Sequence, residues 1–257
     1  MYFADAVNGD DRNDGLTPAT AFATLERINE SELLPGTTVA LKSGSIFTGT
    51  LKPKNGGTVD KPVRITSYGE GPLPIINGNG AENAVEIRNL SYIEVSNLEI
   101  INVTSDIYTP RRGVFVCCGE KGGKYCGITI KNLYVHNITT SFGREAGGII
   151  VWCDPADSPV SYDGVTVTGC TVCDTGAQGI TFSSAYSYRV ALTGQTCRTH
   201  RHIISALRIT ILPAAEATEF FSPVLKARLS NTIPWQCAAL RGTRRMPESG
   251  RIIRKMR

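Results

Sequence analysis

Between Val85 and Ser184 apolar and polar residues alternate in short runs, and one run occurs three times. Ile93-Glu-Val-Ser-Asn97-Leu-Glu-Ile-Ile-Asn102-Val is followed by Ile128-Thr-Ile-Lys-Asn132-Leu-Tyr-Val-His-Asn137-Ile and by Val165-Thr-Val-Thr-Gly169-Cys-Thr-Val-Cys-Asp174-Thr, starting 35 and 37 residues apart. A second run, Gly113-Val-Phe-Val, Gly148-Ile-Ile-Val and Gly179-Ile-Thr-Phe, comes at steps of 35 and 31. Alternation with a period of two over so few residues predicts strands, not helices. Repetition at this spacing predicts a solenoid, in which each short strand is stable only because the next rung covers it. The inward columns are then Ile93, Val95, Leu98 and Ile100; Ile128, Ile130, Leu133 and Val135; and Val165, Val167, Cys170 and Val172. The positions Asn97/Asn132/Gly169 and Asn102/Asn137/Asp174 fall at corners, where residues tolerant of left-handed backbone are needed. An antiparallel sandwich is the competing architecture, but it gives no reason for turn residues to recur in register.

Upstream, Thr24 to Leu33 reads as an amphipathic helix. Thr24 is its N-cap, Leu25, Ile28 and Leu33 form its apolar stripe, and Pro35-Gly36 stops it. A strand stack with an open end would pair with other chains, so this helix is expected to cap the solenoid. Thr37 to Leu41, Ile46 to Leu51, Val63 to Ser67 and Leu73 to Ile76 are predicted strands of less regular early rungs. Within the regular array, insertions run over Thr104 to Arg112, Gly119 to Tyr125, Thr139 to Ala146 and Asp154 to Tyr162. Per-repeat insertions gather on one face of a solenoid, usually the face that binds. The expectation is an all-β chain, a right-handed parallel β-helix with a short N-terminal capping helix.

The opening, Tyr2-Phe-Ala-Asp-Ala-Val-Asn8-Gly9-Asp10-Asp-Arg-Asn13-Asp14-Gly15-Leu-Thr-Pro18-Ala-Thr-Ala-Phe22-Ala-Thr-Leu25 followed by Leu34-Pro35-Gly36-Thr37-Thr-Val39, resembles the N-terminus of bacterial right-handed parallel β-helix proteins of the pectate-lyase-like superfamily. The rungs from Val85 to Ser184 are similar to the same superfamily. The resemblance covers about the first 190 residues. It implies a protein that acts on or binds polysaccharide or oligosaccharide as a monomer, and relatives that are often secreted. No stretch matches a catalytic motif of a named lyase or glycosidase family, so the resemblance transfers no functional residue.

Composition changes this picture in one place. The net charge of +4 is unevenly spread: from Ala191 to Arg257 there are 12 Lys and Arg against 3 Asp and Glu, which leaves 15 basic and 20 acidic residues before it. Of 26 glycines, 3 lie in this tail. When the codons allowed for Pro213 to Ala239 are regrouped by one base, they can spell a further rung with a Gly-Ile-Leu-Phe phrase, and the single Trp codon, at Trp235, fits. The sequence therefore divides into a β-helix domain, residues 1–190, and an aberrant basic tail, residues 191–257, read as a frameshift between Tyr186 and Gly194. On that reading the tail's charge implies no nucleic-acid partner, and the product is truncated and weakly active. No apolar run is long enough to span a membrane, so no membrane partner is expected. No secretion signal is visible at the start, and the eight cysteines show no disulfide framework, so buried reduced thiols are expected.

Candidate chemistry lies in the insertions. Elimination needs a base and a cation that takes up enolate charge, which Lys121, Lys124, Arg111, Arg112 and Arg144 can supply. Hydrolysis needs two carboxylates, for which Glu145, Asp154 and Asp157 are the candidates. Tyr108 and Trp152 can stack on a sugar ring. The catalytic set is thus Lys124, Arg144, Glu145, Asp154 and Asp157, and the substrate-binding set is Tyr108, Arg111, Arg112, Lys121 and Trp152. The Asp/Asn-rich stretch Asp5 to Gly15 makes Ca2+ the one cofactor to consider. It lacks EF-hand spacing, because Arg12 falls on a ligand position counted from Asp10. Cys170 and Cys173 have zinc-like spacing but point to opposite faces of a strand. His136 is read as an outward histidine.

Overall fold

The computed structural model describes residues 1–119, 123–141, 143, 145–153, 161–184, 188–192 and 207–213, with side chains as far as residue 182. In chain order the strands are β1 (Tyr2–Ala4), β2 (Thr38–Lys42), β3 (Ile46–Thr48), β4 (Val63–Tyr68), β5 (Ile75–Asn77), β6 (Asn83–Arg88), β7 (Ile93–Ser96), β8 (Glu99–Asn102) and β9 (Arg112–Cys118). They continue as β10 (Lys124–Lys131), β11 (Tyr134–Ile138), β12 (Gly147–Cys153), β13 (Ser161–Thr168), β14 (Thr171–Val172), β15 (Gln178–Ser184), β16 (Tyr188–Leu192) and β17 (Leu207–Pro213). Sheet A runs β1-β2-β4-β7-β10-β13-β17-β16, sheet B β14-β11-β8-β5-β3 and sheet C β15-β12-β9-β6. From β4 to β15 successive strands visit A, B and C in turn, and the rungs pair in parallel. This is a right-handed parallel β-helix.

The register is the one the repeats imply. Ile93, Ile128 and Val165 are direct neighbours in sheet A, as are Val95, Ile130 and Val167. All twelve residues of the predicted inward columns are buried and belong to one continuous apolar core. The corner from sheet A to sheet B is two residues long. Asn97 and Asn132 occupy it with φ of 56° and 52°, and Asn132 Nδ2 donates to Asn97 Oδ1 at 3.2 Å. Gly169 takes the next position, where a Cβ would lie 2.3 Å from Asn132 Oδ1. The second corner differs from the expected equivalence. A bulge in β11 sets Ile138, not Asn137, opposite Asn102. Asn102 is therefore buried at a strand end, where Nδ2 donates to the carbonyls of Ala81 and Arg112, while Asn137 and Asp174 adopt left-handed backbone.

The glycines that open the sheet C phrase have a packing reason. A Cβ on Gly113 would come within 2.6 Å of Val135, and one on Gly148 within 2.3 Å of Val172. Sheet B side chains press directly on the backbone at the starts of β9 and β12, so a side chain there would force the two sheets apart, whereas a Cβ on Gly179 in β15 would meet nothing within 4 Å.

The N-terminal helix α1 spans Leu25–Glu30 and is shorter than expected, with Leu33 buried just beyond it. Thr24 caps it and accepts from the Arg27 amide. Asp11 in turn accepts from the amides of Ala23 and Thr24 and from the Thr24 hydroxyl. Strand β1, which the sequence reading did not include, pairs with β2 and extends sheet A at this end. At the other end the parallel order stops: β17 runs antiparallel to β13, and β16 antiparallel to β17.

Candidate functional site

In the three regular rungs the A-to-B turn is minimal, at two residues, whereas in the early rungs it takes three (43–45) and six (69–74). The connections from B to C (residues 103–111 and 139–146) and from C to A (residues 119–123 and 154–160) carry the insertions. In the regular rungs sheet C is thus the sheet whose strands are both preceded and followed by the longer connections.

Two outward columns cross the outer face of sheet C. One is Glu86, Phe115, Ile150 and Thr181; the other is Arg88, Cys117, Trp152 and Ser183. Phe115, Cys117, Ile150 and Trp152 form an apolar cluster separate from the main core. Trp152, expected to stack on a sugar, is instead 8% exposed and packed in this cluster, so its ring is not open to a ligand. The alternation that hides one side of a strand would leave these residues facing water, yet they are hidden on both sides. A run of apolar residues without alternation, as in Val114-Phe-Val-Cys-Cys118 and Ile149-Ile-Val-Trp-Cys153, is the sequence signal for this.

On the first rung the same face becomes charged. Glu86 accepts from Arg88 Nε at 2.7 Å and Asn83 Nδ2 at 2.9 Å, and Lys52 Nζ lies 3.1 Å away. Burial alone would push the Glu86 carboxyl up, but the hydrogen bonds from Arg88, Lys52 and Asn83 outweigh it and hold it below its ordinary value. Glu86 is an anion at neutral pH and is not a proton donor there. Beside it a concavity of about 480 Å³ is lined by Asn29, Glu30, Lys52, Lys54, Arg88 and Asn89, between the capping helix and sheet C.

The predicted residues fall in different places. Arg112 begins β9 and is buried. Its Nη1 reaches Glu82 at 2.7 Å and Asn83 at 3.2 Å, its Nε donates to the Glu145 carbonyl, and its Nη2 lies 3.8 Å from the Glu145 carboxylate. The guanidinium therefore ties two carboxylates from neighbouring rungs to one edge of sheet C. Arg111 is buried beside it. Its guanidinium donates to the carbonyls of Gly80, Asp106 and Thr109 and to the Asp106 carboxylate, pinning the connection after β8. Hydrogen bonds from Thr109, Arg111 and the Tyr108 amide drive the Asp106 carboxyl well below its usual range. Tyr108, in the same connection, is 77% exposed. Lys124 lies on sheet A, exposed, with Nζ 3.0 Å from Asp163, and this pairing raises its pKa. Glu145 and Arg112 come together with Arg111 nearby in sequence and Trp152 on the same strand face, whereas Lys124 belongs to a different sheet. Lys121, Arg144, Asp154 and Asp157 lie outside the described residues.

The acidic N-terminal stretch has its carboxylates in turns. Asp5 accepts from the amides of Val7 and Asn8, Asp10 from Arg12, and Asp14 from the Leu16 amide and Thr20 hydroxyl. Among the described residues no three His, Cys, Asp or Glu side chains cluster as a metal site. His136 pairs outward with Glu99 at 2.9 Å and stacks on Tyr134. Cys170 is buried core, as its strand position requires. His200 and His202 lie outside the described residues. No described helix is long and apolar enough to cross a membrane.

No protein-family model matches the chain. It is 27% identical to a lacto-N-biosidase of Bifidobacterium longum over 53% of this chain and 12% of that protein. The structure of a GH136 lacto-N-biosidase from Eubacterium ramulus superposes with a TM-score of 0.65 at 28% identity, over 71% of this chain and 36% of that one. The chain thus spans about an eighth and about a third, respectively, of the relatives it matches.

Proposed function

We propose that this chain is the β-helix portion of a glycan-active enzyme, that the glycan site lies along the connections bordering sheet C rather than on its buried outer face, and that the chemistry is hydrolysis rather than elimination. The observation that carries this reading is that, in the regular rungs, the longer connections precede and follow the strands of sheet C. The likeness to the lacto-N-biosidases supports a carbohydrate partner and a hydrolytic reaction.

The geometry of β12 narrows the catalytic pair. Its seven residues, at about 3.3 Å each, separate its ends by roughly 20 Å. Glu145 adjoins the first end, and Asp154 and Asp157 follow the second in sequence. A hydrolytic pair stands about 5–9.5 Å apart, a spacing more readily met by two aspartates of one connection than by Glu145 and a residue beyond the far end of β12. Asp154 and Asp157 are the proposed acid and base or nucleophile. Glu145, Glu82 and Arg112 form a positioning cluster at the opposite edge. Arg88 and Lys52 line the concavity beside the helix and would hydrogen-bond sugar hydroxyls, with the Glu86 anion holding both cations in place. Arg144 and Lys121 stay candidates for contacts from the connections, and Tyr108 for stacking.

A second reading, a non-catalytic glycan-binding surface, is favoured by the engagement of both Arg111 and Arg112 with protein partners, which leaves fewer free donors for a charged transition state. Two experiments separate the readings. Binding of oligosaccharides, including the substrate of lacto-N-biosidase, is measured calorimetrically on the chain as it stands. Turnover is measured on a version with the downstream frame restored, by reducing-sugar release and by the absorbance of unsaturated products. Hydrolysis that disappears in Asp154→Asn and Asp157→Asn, while binding persists, supports the enzyme. Unsaturated products would overturn the hydrolytic assignment. Binding without turnover would favour the scaffold reading, and no binding by either protein would overturn both.

A further inference from the structure

Cys118 and Cys153 are the last residues of β9 and β12 and stand directly opposite each other in sheet C. Both are wholly buried, and Cys118 Sγ lies 3.3 Å from Cys153 Sγ. Neighbouring strands of a sheet run about 4.8 Å apart, inside the Cα separation of about 4.4–6.8 Å that a disulfide spans. Two sulfurs in register, in van der Waals contact and enclosed by the same core need only close from 3.3 Å to about 2.05 Å to bond.

We propose that Cys118 and Cys153 are an oxidation site at which a disulfide staples two adjacent rungs of the β-helix, formed by exchange with a small-molecule disulfide while the rungs are closing. The Cys118 thiolate attacks the small disulfide, forming a mixed disulfide and releasing one thiolate. The Cys153 thiolate then attacks Cys118 Sγ, forming the cross-rung bond and releasing the second. Two protein thiols are oxidised, one small disulfide is reduced to two thiols, and the two protons go to solvent or to the leaving thiolates.

The timing follows from the surroundings. In the closed core the hydrogen bond to Cys153 and burial together drive the Cys118 thiol far above its ordinary pKa, and exchange needs the thiolate. The closed, reduced pair is therefore slow to react, whereas the pair in a partly wound chain is not. A bond made at that stage is protected from later reduction by the same burial. It also has a consequence for the surface, because each cysteine immediately precedes a C-to-A connection. The staple would fix the starting points of both connections relative to each other. The proposal stands on the geometry of the two thiols and does not rest on the glycan reading.

The test uses the full chain, refolded in buffers of oxidised and reduced glutathione, then unfolded in acid, alkylated with N-ethylmaleimide and digested for mass spectrometry. The expected result is a peptide pair joined through Cys118 and Cys153 that separates on reduction, together with a Tm roughly 5–10 °C higher for the oxidised protein, as a closed loop of this size implies. Cys118→Ser and Cys153→Ser should each lose both the joined peptide and the redox dependence of Tm. Alkylation of both thiols in every glutathione mixture, or pairing of either with a different cysteine, would overturn the proposal. The wild-type peptide map decides this even if a variant does not fold.

Discussion

The guanidinium carbon of Arg112 stands 4.2 Å from the centre of the Phe115 ring, three residues along the same strand, while its nitrogens reach Glu82, Asn83 and Glu145. One buried cation thus joins the outer face of sheet C to the connections at its edge.

Arg112→Met keeps the length of the side chain and removes the charge. The partners Glu82 and Glu145 are 68% and 48% exposed, so water takes over part of their solvation. The loss should be about 1–3 kcal/mol, below that of a fully buried pair. Urea unfolding checks this, and a change under about 0.5 kcal/mol would mean that the cluster does not hold the edge.

Ile130 lies between Val95 and Val167 in the central column of sheet A, with no solvent exposure. Ile130→Ala should cost about 2–5 kcal/mol. Thr129→Ala, one residue away on the outer face, should stay within about 0.5 kcal/mol. Equal effects at the two positions would contradict the inward and outward assignment.

Glu86 gives a pH dependence with a definite sign. Its folded-state pKa is lowered, so its contribution to stability is fully present above the unfolded carboxyl value, about 4.3, and is lost as pH falls through the lower folded value. Unfolding midpoints of the wild type and Glu86→Gln should converge as pH falls from 6 towards about 3. Parallel curves over that range would show that the hydrogen bonds from Arg88, Lys52 and Asn83 do not favour the anion.

The tail offers a genetic test. We propose that the reading frame changes between Tyr186 and Gly194, and the end of the parallel order at β13, with β17 and β16 antiparallel beyond it, is what a chain without a following matched rung would show. Resequencing the gene should find a one-base change there. Restoring the frame should add parallel rungs, seen as a larger protected amide core by hydrogen exchange. An intact frame across those codons would refute the proposal.

The pattern of short runs was enough to give the inward columns, the Asn97/Asn132/Gly169 corner, the Thr24 cap and the class of fold, because each depends on residues within one rung or on an exact repeat of it. Strand periodicity of two assigns faces locally, and equal spacing assigns register. The bulge at β11 was not legible, since one extra residue shifts Asn137 out of line without changing the residue types around it.

Function-bearing contacts were less legible for a related reason. Arg112 gave no sign in sequence that its partners would be Glu82 and Glu145, 30 and 33 residues away, and Lys124 gave none that it would face away from sheet C. The step of 35 from Gly113 to Gly148 also carries Cys118 onto Cys153, but alternation alone does not say that two thiols meet inside the core. By itself the sequence determined that the chain winds into stacked rungs, because burying alternate Ile and Val residues leaves few other solutions. Tertiary structure alone decided which sheet lies between the long connections and which charges meet there, because those contacts join residues one full turn of the helix apart and depend on how the rungs are offset.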